Sequence, residues 1–175
     1  MVRPELDQLR EDHGRNFGWA LACCGWQRDL AEDVLQEAYL RVLDGRAQFK
    51  GRSALSTWFY AVIKHVASEL RRTQQRRSIL NLRTVDSDGH DLESPEADGD
   101  GTDPIQAQET AELLRAALMQ LSVRQREVLH LVFYSEMTVE EAALVLEVSV
   151  GSARTHYHRG KERLVQLLNL DREDV

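Results

Sequence analysis

The chain has 175 residues, is 42% hydrophobic and 29% charged, and carries a formal net charge of −7, which suits one or two small domains with modest cores. No stretch approaches the roughly 20 apolar residues of a membrane span, and the first residues carry no signal-peptide pattern, so a cytoplasmic protein without membrane insertion is expected. The two cysteines, Cys23 and Cys24, are neighbours, which argues against a disulfide framework and against a CxxC metal or redox site.

Overall acidity does not exclude a nucleic-acid partner, because the charge is segregated. Residues 1–82 hold 13 basic and 10 acidic groups, residues 83–112 hold 1 and 10, and residues 113–175 hold 8 and 9. The middle block supplies the net charge and leaves the flanks free to carry basic surfaces.

In chain order, Leu6, Leu9, Phe17, Trp19, Leu21 and Ala22 predict a helix over 4–24, interrupted by Gly14 and Gly18. A second, acidic helix is expected over 29–43. Its buried face is Leu30, Val34, Leu35, Ala38 and Leu43, and Asp29, Glu32, Asp33, Gln36 and Glu37 fall on the others. Residues 47–53 read as a polar loop. A long helix follows over 54–80, capped by Ser53 or Ser56, with Leu55, Phe59, Val62, Ile63, Val66 and Leu70 as its core stripe. Adjacent Trp58, Phe59 and Tyr60 are about 100° apart around such a helix and cannot share one narrow face. From Arg41 to Arg83 there are ten Lys/Arg against two acids. Basic residues with aromatics among them suit phosphate neutralisation and stacking of unpaired bases.

Residues 84–104 contain eight Asp/Glu, no Lys/Arg, three glycines and two prolines. Such a segment buries too little to offset its ordering entropy, so a flexible acidic linker is expected. Beyond it, a helix over 105–120 turns Ala111, Leu114, Ala117, Leu118 and Leu121 inward. Ser122 to Gln125 has capping-box form and opens a helix through Val128, Leu129, Leu131 and Val132, and Thr138 to Glu141 opens a short one to Leu146. Ser149 caps a last helix over 150–168 whose inward stripe is Ala153, Tyr157, Gly160, Leu164 and Leu167. A short helix, a tight turn without glycine and a longer helix make the helix-turn-helix spacing. Ser152, Arg154, Thr155 and His158 are then the candidates for base edges, and Arg159, Lys161 and Arg163 for phosphates. The expected fold is all-α, two small helical domains joined by the linker.

The motifs Asp29-Leu-Ala-Glu-Asp33, Gln36-Glu37-Ala-Tyr39 and Ser56-Thr-Trp-Phe-Tyr60, closing on Leu70-Arg-Arg72, resemble region two of bacterial sigma factors, nearest the extracytoplasmic-function group. Residues 121–168 resemble region four, through Arg124-Gln-Arg-Glu127, Glu141-Ala-Ala143, Val148-Ser-Val-Gly151, His158-Arg-Gly160 and Glu162-Arg-Leu164. The resemblance implies region two over 1–83, the linker over 84–104 and region four over 105–175. Asp33, Gln36 and Glu37 would then face the beta-prime coiled coil of core RNA polymerase. Gln48, Phe49, Lys50, Arg52 and Ser53 would lie in the loop that receives a flipped base. Trp58, Lys64, His65, Ser68, Arg71 and Arg72 would face the minus ten element, and Ser152, Arg154, Thr155, His158, Arg159, Lys161 and Arg163 the minus thirty-five element. A beta-flap contact, promoter DNA and an anti-sigma factor are the other implied partners, for a monomer with no cofactor or metal.

Three positions depart from the family pattern: His65 stands for a usual Asn, Ala142 for a usual Ile, and Ser152-Ala153 for Thr-Val. The competing reading is a conventional helix-turn-helix regulator whose N-terminal half binds a partner. An enzyme has no support, since the sequence holds no Gly-rich phosphate loop, nucleophile elbow or metal-ligand cluster.

Overall fold

In a computed structural model the described residues are 4–80 and 104–173. Of the linker expected over 84–104, residues 84–103 lie outside them, and Pro104 is the first residue of a helix. The described residues are helical and contain no strand. They fall into two compact units, the first built from α1 (Pro4–Glu11), α2 (His13–Cys23), α3 (Arg28–Leu43) and α4 (Leu55–Leu80). The second holds α5 (Pro104–Met119), α6 (Val123–Leu129), a π-helical turn (His130–Tyr134), α7 (Val139–Leu146) and α8 (Val150–Glu173).

The helix expected over 4–24 is two helices, and the glycines do not divide it. The break is at Asp12, where tertiary bonds claim the Leu9 carbonyl: buried Asn16 donates from Nδ2 at 2.9 Å and Tyr39 donates from its hydroxyl at 3.0 Å. Helix α2 then buries Trp19, whose indole N–H donates to the Tyr60 carbonyl at 3.0 Å and whose ring stacks on Tyr60. Against it α3 packs Leu30, Ala31, Val34, Leu35, Ala38 and Val42, and α4 packs Phe59, Tyr60, Ile63, Val66 and Ala67. Leu43, expected on the buried face, is 54% exposed, and the inward position at that end belongs to Val42. Leu55, Val62 and Leu70 are only half-buried.

Both cysteines are buried thiols outside any disulfide, and burial pushes the Cys24 thiol up to about 12, which removes its nucleophilic thiolate.

In the second unit Ala117, Leu121, Leu129 and Leu167 form a buried cluster, with Leu118, Tyr157, Leu164 and Leu168 packed on it. Leu114 is exposed, contrary to expectation. The Ser122 capping box forms in both directions: Ser122 Oγ accepts from the Gln125 N–H, and Gln125 Oε1 accepts from the Ser122 N–H. The continuous helix expected through Val132 widens instead into the π-helical turn, where the Ser135 N–H reaches the His130 carbonyl, five residues back. Gly160 is buried where α8 crosses α6, and a Cβ there would lie 3.1 Å from Gln125 Cβ and 3.2 Å from Leu129 Cδ1. A side chain would push the two helices apart.

The Thr138 hydroxyl accepts from the Glu141 N–H at 3.2 Å, and Glu141 Oε2 accepts from the Thr138 N–H at 2.9 Å, so α7 opens as expected. It closes on Glu147, which holds φ +53 while the Val148 N–H bonds the Ala143 carbonyl at 3.1 Å. Glu147 thus occupies the left-handed position that glycine usually fills after a helix. A non-glycine residue there costs about 1–2 kcal/mol, and glycine loses about 0.5–1 kcal/mol of that advantage through its unfolded-chain entropy. Glu147→Gly is therefore expected to stabilise the chain by about 0.5 kcal/mol, read from urea unfolding followed by circular dichroism. Ser149 then caps α8, accepting from the Ser152 N–H at 3.1 Å.

Candidate nucleic-acid and partner interfaces

Three surfaces carry the residues singled out above. On α3, Asp33 and Gln36 are exposed and Glu37 is half-buried. Beside them α2 and α3 enclose an open groove of about 530 Å³ lined by His13, Phe17, Arg28, Glu32, Leu35, Gln36, Tyr39, Leu40 and Leu43. Leu40 and Leu43, 44% and 54% exposed, stand four and seven residues after Gln36, so a polar residue and two uncovered leucines share one stripe of the helix. The guanidinium of Arg28 lies over the Phe17 ring and pairs with Glu32 at 3.0 Å at one end. The apolar half of this surface was missed from sequence because Leu43 fits the core period as well as it fits the groove.

Glu37 does not simply point outward. Its Oε1 accepts from Arg41 Nε at 2.8 Å and from Arg46 Nη1 at 3.0 Å. Arg41 reaches on to Glu69 Oε2 on α4, and Glu69 Oε1 pairs with His65 Nε2 at 3.0 Å. Arg46 also pairs with Asp44 at 2.7 Å. The Arg41 guanidinium holds both the Glu37 and the Glu69 carboxyls below the ordinary carboxylate range. Because the folded values are depressed, this network stabilises the chain fully above the unfolded value of about 4.5, and the contribution is lost as pH falls through the folded values. The stability difference between the natural chain and Arg41→Met should therefore shrink as melts are taken from about pH 6 to about pH 3.

On α4 and the loop before it lies the second surface. Gln48, Lys50 and Arg52 are exposed, and Phe49 and Ser53 are half-buried. Gly45 at φ +80 and Gly51 at φ +67 give the loop its two left-handed turns. The Ser53 hydroxyl donates to the Ala54 carbonyl. Of the three consecutive aromatics, Phe59 and Tyr60 are core, whereas Trp58 is half-buried and packs on Phe49 with ring centroids 5.4 Å apart. Lys64, Ser68, Arg71 and Arg72 follow at helical spacing and extend the cationic side, with exposed His65 next to Lys64. Ser68 spends its hydroxyl proton on the Lys64 carbonyl at 2.9 Å.

The third surface is the outer side of α8, where Ser152, Arg154, Thr155, His158, Arg159, Lys161 and Arg163 are all exposed. Near its start Thr155 donates to the Gly151 carbonyl, and the Ser152 hydroxyl lies 2.9 Å from that of Ser149. Arg154 Nη2 pairs with Glu140 Oε1 of α7 at 2.7 Å.

Two helical units, one with a cationic and aromatic helix face and the other ending in a basic helix behind a short helix and tight turn, have the features that suit a DNA-binding protein. The sigma-70 region 2 family matches residues 11–77, and the sigma-70 region 4 family matches residues 111–164. The chain is 34% identical over 148 residues to the ECF RNA polymerase sigma factor SigX of Bacillus subtilis, covering 85% of this chain and 75% of that protein. It is 29% identical over 172 residues to the ECF RNA polymerase sigma factor EcfG of Rhodopseudomonas palustris, covering 96% and 89%. Its fold is similar to that of the sigma factor RpoE of Bartonella quintana, solved in complex with the anti-sigma factor NepR, at TM-score 0.70 and 21% identity over 94% of this chain and 98% of that one. The chain belongs to the ECF sigma factors and acts as an RNA polymerase sigma factor in transcription initiation.

Proposed function

We propose that this sigma factor docks on the beta-prime coiled coil of core RNA polymerase through Asp33, Gln36 and Glu37, with the α2–α3 groove taking apolar side chains of the coiled coil. Residues 1–83 act as region two, 84–104 as an acidic linker running through polymerase, and 105–175 as region four, which also meets the beta flap. Gln48, Phe49, Lys50, Arg52 and Ser53 receive a flipped base of the minus ten element, and Trp58 supplies a ring beside it. Lys64, His65, Ser68, Arg71 and Arg72 hold the adjacent strand. Flipping costs a few kcal/mol, which stacking and hydrogen bonds at that loop offset. The exposed side of α8 enters the major groove of the minus thirty-five element as the second helix of a helix-turn-helix.

The observation that carries this reading is the shared frame of the first unit: the exposed row Gln36, Leu40 and Leu43 on α3 and the cationic, aromatic side of α4 are carried by two helices packed on one core. A partner held by the first brings the second to DNA. By similarity to the anti-sigma-bound relative, an anti-sigma factor covers this chain when it is inactive. A cytoplasmic monomer is the form proposed; among the described residues no helix is long and apolar enough to cross a membrane.

Run-off transcription with core RNA polymerase, with and without the chain, over a genomic fragment library tests the proposal. New discrete start sites are expected only when the chain is present. No start sites, with tight salt-dependent binding of the free chain to duplex DNA, would mark a conventional regulator instead.

A further inference from the structure

We infer that Glu140 is a positioning residue for promoter recognition: its carboxylate sets the pose of Arg154 and thereby the base pair that this arginine accepts. The inference rests on the proposed reading of α8 as the minus thirty-five reader.

Glu140 is the second residue of α7 and Arg154 the fifth of α8, and their 2.7 Å ion pair spans the turn between the helices. Its neighbour Glu141 is committed to the Thr138 capping box, so the start of α7 does not require Glu140 as a cap. Around Arg154 the other short polar groups are already engaged, Ser152 with Ser149 and Thr155 with the Gly151 carbonyl. Arg154 is left as the long donor at the start of the helix, 61% exposed at its side chain, and among the described residues it is Glu140 that restrains it.

An unrestrained arginine at that place is a mobile positive charge that any phosphate satisfies, whatever the sequence. Pairing with Glu140 changes both properties. It cancels the local charge and so weakens sequence-independent attraction. It also occupies one Nη2 proton and fixes the plane of the guanidinium, leaving a defined edge for a bidentate acceptor such as guanine O6 and N7. The acid therefore trades general affinity for discrimination. Removing it should tighten binding to DNA that lacks the promoter element and blunt selectivity at one base pair. A scaffold role for Glu140 would instead weaken binding to every sequence.

The test uses the full chain with core RNA polymerase on templates randomised through the minus thirty-five element. Thermal melts and binding to a non-matching duplex at low salt are measured alongside. Arg154→Ala should lose preference at one base pair by about tenfold or more. Glu140→Gln should lower preference at that same base pair by about threefold, leave other positions and the melt unchanged, and raise non-matching duplex binding by about twofold. Unchanged preference in Glu140→Gln, or an equal loss at every position, overturns the inference and leaves the reading of α8 intact. No positional change with Arg154→Ala overturns both.

Discussion

Asp33→Lys is expected to reduce run-off transcription at least tenfold while leaving the thermal melt of the chain unchanged. Like charges brought together at a complementary interface cost several kcal/mol, and Asp33 stands exposed on α3, so the exchange acts on the docked partner rather than on the fold. Glu37→Lys is expected to abolish the same start sites for two reasons at once. A lysine there would face Arg41 and Arg46, which now lie 2.8 Å and 3.0 Å from the Glu37 carboxylate, so the brace to α4 is broken together with the docking surface. Glu37→Gln separates the two, since it keeps an acceptor for the arginines and removes only the charge. Undiminished transcription with folded Asp33→Lys would place the polymerase contact elsewhere.

The second large effect is on stability. Trp19→Ala should lower the unfolding free energy of the first unit by about 3–5 kcal/mol, a large part of what a small domain has. The indole is fully buried, stacks on Tyr60 with ring centroids 6.0 Å apart, and ties α2 to α4 through its bond to the Tyr60 carbonyl. Trp19→Phe keeps most of the ring and gives up that bond, so a cost of about 1–2 kcal/mol is expected. Urea unfolding followed by circular dichroism separates the two variants. Equal costs would mean that the lost hydrogen bond, and not the ring volume, sets the value.

Much of the second unit is legible in sequence because its helices begin with chemistry that needs only neighbours. Ser122 with Gln125, Thr138 with Glu141, and Ser149 with Ser152 each close a bond within three residues. The misreadings share a different cause. The break at Asp12 is set by Asn16 and by Tyr39, 30 residues from Leu9, and no local pattern announces it. Leu43 and Leu114 match the helical period yet remain uncovered, because period says which residues share a side and not whether anything packs there. Glu147 fills a place where sequence reasoning looks for glycine, so the turn shows no marker. At the candidate sites the residue types and their helix faces are readable, whereas the commitments among them are not. The Arg46–Glu37–Arg41–Glu69–His65 chain and the Glu140–Arg154 pair join residues from separate elements, and only the folded chain shows which partner each has taken.

One guanidinium, that of Arg41, is shared by Glu37 on one helix and Glu69 on the next. The helix proposed to meet polymerase and the helix proposed to meet DNA are then tied, above their shared apolar core, by one charged side chain. Loss of Arg41 would therefore take a partner from both carboxylates at once, leaving Glu37 to Arg46 and Glu69 to His65 and the two helices without their charged tie.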